Sequence, residues 1–148
     1  MTDEIIIQEA IKLVRDGVSV TFPVKGRSMI PFIVGGKESV ILQQPGHLEP
    51  GLVVLAEIAP GHYVLHRIVA IDEDRGRITL MGDGNVRGTE RCTPATVLAV
   101  ATYVVDEKGR KRPLYSRSRK FKAKLWLMLL PFRRYLLAVM KRICKKYK

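Results

Sequence analysis

The chain has 148 residues, 47% of them apolar, which is enough for one domain with its own core and too apolar for a disordered segment. Its net charge of +12 is unevenly placed: residues 1 to 107 carry 10 Lys and Arg against 14 Asp and Glu, and residues 108 to 148 carry 16 against none. That division excludes a domain-wide basic face of the nucleic-acid-binding kind, and it points instead to a mildly acidic body with a basic tether for an anionic surface.

The pattern divides the chain into an N-terminal helix (1 to 17), a β domain (18 to 107), and a basic linker with a C-terminal helix (108 to 148). In residues 3 to 16, Ile7, Ala10, Ile11 and Val14 recur at helical spacing and give one apolar face, with Thr2 as N-cap and Gly17 as the stop. Val18, Val20, Phe22 and Val24 then alternate with polar residues as a strand does, and Pro23 confines that strand to a sheet edge. The strand leads into Gly26-Arg27-Ser28-Met29-Ile30-Pro31, where glycine and proline enforce a bend that presents the Ser28 hydroxyl beside backbone N–H groups. Such a bend suits a nucleophile with an oxyanion hole.

Gly35-Gly36-Lys37 lacks the spacing of a phosphate loop and reads as a turn. Residues 38 to 44 and 52 to 58 are strand candidates, separated by Pro45, Gly46, Pro50 and Gly51. Residues 62 to 71 form the next strand, apolar on both faces, with His62, Val64, His66, Ile68 and Ala70 on one side. An imidazole among Val and Ile is favoured in its neutral, proton-accepting form. His47, His62 and His66 with two distant cysteines make no zinc spacing, so no metal or other cofactor is expected. Residues 77 to 81 lead into Gly82-Asp83-Gly84-Asn85, and a last strand spans 96 to 105.

Each of these motifs alone has a plain structural meaning: a turn serine, a core histidine, an Asp-Gly hairpin. Their order, Gly-x-Ser-Met-x-Pro, then His66-Arg67-Ile68-Val69, then Gly82-Asp83-Gly84-Asn85, resembles the signal-peptidase and LexA-type repressor autoprotease superfamily of serine peptidases. Histidine at the base position is similar to its Ser-His branch, that of the endoplasmic-reticulum, archaeal and spore-former types. The resemblance covers about residues 18 to 105. It implies a mainly β fold, a curved antiparallel body flanked by an N-terminal and a basic C-terminal helix. It also implies a serine endopeptidase in which Ser28 attacks, His66 is the base and Asp83 orients His66. The substrate would be a peptide, leader or precursor protein held as an extended strand beside Gly26, Arg27, Met29 and Pro31. Small residues before the cut would be preferred. Gly26 offers no side-chain donor to the oxyanion hole, so either backbone completes it or the hole is weaker. Self-cleavage, or a non-catalytic membrane-surface adaptor on the same fold, are the alternatives, and a partner protein that delivers the peptide is compatible with each.

Residues 117 to 148 hold 12 Lys and Arg and no acid. Phe132, Leu136, Met140, Ile143 and Tyr147 fall on one helical stripe, with Arg134, Lys141, Arg142 and Lys145 opposite. With Arg133 alongside and Trp126 and Tyr135 of the type favoured at the interface, this is the pattern of a helix lying on an anionic membrane, and no nucleic-acid partner is expected. No apolar run reaches the roughly 18 residues that cross a bilayer, and Asp3 and Glu4 stand where a signal peptide would be basic. Cys92 and Cys144 lack any Cys-x-x-Cys spacing. A cytoplasmic protein peripherally bound to membrane is the expectation.

Overall fold

The computed structural model describes residues 3–25, 29, 32–84 and 89–115. One helix, α1 (Asp3–Arg15), opens the chain. Its predicted stripe is its packed face: Ala10, Ile11 and Val14 are buried, and Ile7 lies against the same core cluster. Gly17 ends it with φ +88°. The Gly17 N–H donates to Val14 O at 2.9 Å and the Val18 N–H to Leu13 O at 2.9 Å, a pair of bonds that caps the last carbonyls and needs the left-handed turn glycine allows. The expected N-cap, Thr2, lies outside the described residues.

Eight strands follow, β1 (Val20–Pro23), β2 (Ser39–Gln43), β3 (Val53–Ala59), β4 (His62–Asp72), β5 (Arg77–Met81), β6 (Glu90–Cys92), β7 (Val97–Val105) and β8 (Lys111–Pro113). All pair antiparallel in one sheet of order β1-β2-β7-β3-β4-β5-β6, with β8 added to β7. The fold is mainly β, as expected, and the strand containing Pro23 stands at the sheet's end. The C-terminal helix expected from the sequence lies outside the described residues.

Curvature comes from irregular pairing. Register shifts fall between Ile41 and Leu42, Leu55 and Ala56, Glu57 and Ala59, and Ile68 and Ala70. Each adds local twist, and the sheet coils until β6 lies against β3. Both faces are then covered. Along β3, Val53 and Leu55 enter one core cluster, with α1, Met29 and Ile33, while Val54 and Ala56 enter the other, with Ile68, Ile78, Leu80 and Cys92.

Two strands escape sequence reading. β6 and β8 have three residues each, too few to show a period of two. β8 carries the body past the expected boundary at 107 to Tyr115, whose hydroxyl accepts from the Val53 N–H at 2.9 Å and donates to Ala101 O. The tie closes the sheet at the point from which residues 116 to 148 continue.

Candidate active site

Sequence alternation places the two ionisable residues of His66-Arg67 on opposite faces of β4. His66 pairs with Val54 and Arg67 with Val53 across β3, and Arg67 is opposite Met81, the last residue of β5. His66 therefore stands one residue beyond the β4–β5 pairing, on the face shared with Ile68. Glu90, which opens β6 opposite Leu80, reaches it there.

The His66 ring is buried, 6% exposed, and its Nδ1 is 2.9 Å from Glu90 Oε2. An ionised carboxylate accepts and cannot donate, so a neutral ring paired with one carries its proton on Nδ1 and leaves Nε2 without one. That is the tautomer a general base requires.

The acid expected to orient the ring, Asp83, has different partners. It is 1% exposed, and its Oδ1 and Oδ2 accept from Arg67 Nε at 2.8 Å and Nη2 at 2.7 Å. Arg67 Nη1 donates to Gly51 O at 2.7 Å, and the guanidinium lies 5.0 Å from the centre of the Phe32 ring. Burial by itself pulls the Arg67 pKa down, but the charge and hydrogen bonds of Asp83 outweigh it and hold it above the ordinary value. The orienting contact at Nδ1 is thus Glu90's, and Asp83 with Arg67 forms a buried fork on the other face. Sequence reasoning missed Glu90. No local signal marks it, because three-residue β6 is too short to show a period of two.

Gly26, Arg27, Ser28 and Pro31 lie outside the described residues. Their flanks are firmly held. Met29, directly after Ser28, is 2% exposed, and its carbonyl accepts from the Phe32 and Ile33 N–H groups at 3.0 Å each. On the other side the Val24 N–H donates to Glu38 O at 3.2 Å, and the Gly36 N–H to Val24 O at 2.8 Å. Buried Glu38 accepts from the Val34 N–H at 2.8 Å and pairs with Arg112 of β8, so the segment is closed at its base.

An apolar cavity of about 260 Å³ lies between α1, the end of β1 and the first half of β4. Phe22 and Lys25 line it from the β1 side, Val64 and Leu65 from β4, and Ile6 and Ile7 from α1. Burial pushes the Cys92 thiol up, which makes it a packed thiol and a poor nucleophile. Among the described residues no group of three His, Cys, Asp or Glu is placed to hold a metal ion, and no helix is long and apolar enough to cross a membrane. Trp126, Arg133, Arg134, Leu136, Met140, Lys141 and Arg142 all lie outside the described residues. No family model, curated protein or solved structure matches the chain.

Proposed function

We propose that the chain is a serine endopeptidase of signal-peptidase type that cuts an extended peptide, leader or precursor segment. The observation that carries this reading is the His66–Glu90 pair: a buried imidazole held at Nδ1 by a carboxylate 2.9 Å away is the arrangement that readies Nε2 to take a proton.

In this reading the Ser28 Oγ attacks the scissile carbonyl carbon while His66 Nε2 takes the hydroxyl proton, and the imidazolium later gives that proton to the leaving amine. The Ser28 N–H steadies the oxyanion. Glu90 holds the ring in its working tautomer and offsets the imidazolium charge. Asp83, in contrast, acts through Arg67, whose bonds to Gly51 and contact with Phe32 brace the segment after Ser28.

The substrate is an added strand. Among the described strands β1 pairs only with β2, and a peptide added to its other edge would be held by main-chain hydrogen bonds. Residues 117 to 148 supply the second part of the reading, a peripheral attachment to anionic membrane near which substrates are met, with or without a delivering partner.

A pool of synthetic peptides incubated with the full chain, with products sequenced by mass spectrometry, tests the activity. Internal cuts that vanish with Ser28→Ala are expected. Cuts that persist unchanged in Ser28→Ala would overturn the proposal.

A further inference from the structure

We infer that the outer face of α1 is a docking surface for the chain's own C-terminal segment, residues 132 to 147, laid along it as an amphipathic helix. The inference does not depend on the peptidase reading. Three observations carry it.

First, α1 is apolar on two sides. Ile11 and Val14 face the core, yet Ile6 and Leu13 are 38% and 43% exposed. Ile6, Glu9, Leu13 and Asp16 recur at i, i+3, i+7 and i+10, which sets apolar and acidic side chains alternately along one outer stripe. Asp16, one residue past α1, keeps the helical turn, because its N–H donates to Lys12 O at 3.1 Å. Val18, 47% exposed, extends the stripe, since its N–H bond to Leu13 O folds it back beside the last turn. Exposed Glu9 and Asp16 make this face a poor match for an anionic membrane. The partner it fits is apolar along the middle and basic at the margins.

Second, the chain contains such a partner. The stripe from Phe132 through Leu136 and Met140 to Tyr147 is apolar, with Arg133 and Lys146 at its margins, and no acid stands anywhere from 117 to 148. The lengths match as well. As a helix, residues 132 to 147 measure about 24 Å, against about 20 Å for the 13 residues of α1.

Third, the segment starts from the right side of the body. Leu114, just after β8, is buried in the same core cluster as Ile11 and Val14, so the chain leaves on the side of the sheet that α1 covers. Tyr115, bonded to Val53 and Ala101, fixes the point of exit. From there residues 116 to 131 reach up to about 50 Å when extended, ample to bring a following helix alongside α1. One apolar stripe lies on one surface at a time, so docking on α1 and attachment to a membrane exclude each other.

Native Cys144 follows Ile143 of the tail stripe, and Lys12 precedes Leu13, so Lys12→Cys puts a second thiol at the edge of the contact. The full-length Lys12→Cys protein, dilute and without vesicles, is treated with a short bis-maleimide, and the products are read by electrophoresis and peptide mass mapping. A link between position 12 and Cys144 within one chain is expected. Adding Leu136→Glu/Met140→Glu, which leaves the body untouched, should lower its yield about tenfold. On the other side of the contact, Ile6→Glu/Leu13→Glu should do the same, with thermal unfolding as the check on folding. Should that pair fail to fold, the surface reversal Glu9→Lys/Asp16→Lys takes its place, with a loss of about threefold or more. No link, a link only between two chains, or a yield indifferent to the tail pair or to the folded α1 variant would overturn the inference.

Discussion

His66 and Arg67 are adjacent in sequence and serve different neighbours, and two substitutions separate their roles. Glu90→Gln keeps the size of the side chain but presents an amide that can donate to Nδ1, favouring the wrong tautomer. A fall in kcat on the order of 10²-fold or more is expected. The change in stability should stay within about 1 kcal/mol, because the Glu90 side chain is 26% exposed. Asp83→Ala does the reverse. It leaves the Arg67 guanidinium buried without its bidentate partner, and breaking such a pair costs about 3 to 5 kcal/mol. Urea unfolding and peptide turnover, measured on both variants, distinguish them. A stable, inactive Asp83→Ala beside a fully active Glu90→Gln would restore Asp83 as the orienting acid. From sequence, His66 and Asp83 were legible as chemistry-bearing positions. Their separation was not, because it depends on strand alternation combined with where β5 stops, at Met81. The alternation is local in sequence, but the end of β5 is set by its pairing with β4.

Among the elements, the legible ones are long enough to show a period. α1 and β4 were read to within a residue or two at their ends, and β1 was placed at an edge by a single proline. β6 and β8 have three residues each and are held by what they pair with, so nothing in their own pattern announces them. β8 matters for stability through the residue two places beyond it. Tyr115 bonds to Val53 and Ala101, and burial raises its pKa to about 12 from the ordinary value near 10. The folded state thus holds its phenolic proton more tightly than the unfolded chain does. Stability from this group is fully present below pH 10 and is lost as pH rises toward 12, by an amount of about 2 to 3 kcal/mol. Tyr115→Phe should cost about 1 to 3 kcal/mol at pH 7, from the unpaired Val53 N–H and Ala101 carbonyl. It should also flatten the alkaline slope. Urea midpoints between pH 7 and 11 measure both, and an unchanged slope in the variant would count against the assignment.

At the scale of the molecule, charge is segregated: a mildly acidic body carries the candidate site, and the 12 basic residues of 117 to 148 are the ones proposed to attach it to anionic membrane. Each Lys or Arg near an anionic leaflet contributes about 1 kcal/mol, falling off within a Debye length, while an apolar stripe adds a term that salt does not screen. Flotation of the full chain with anionic vesicles should therefore weaken with salt without vanishing. It should be lost in the Leu136→Glu/Met140→Glu variant. If that variant floats as well as the parent, or neutral vesicles bind equally, the tail is an arm for some other partner. The central claim is that Ser28 and His66 act as one unit on a peptide bond, and groups that act as a unit do not lose activity additively. Its most direct test is kcat on one cleaved peptide for Ser28→Ala, His66→Ala and the double variant, with thermal unfolding as the check on folding. Each single substitution should lower kcat by about 10³-fold or more, and the double should be no worse than either. Losses that multiply in the double variant, or near-wild-type turnover in His66→Ala, would contradict the account.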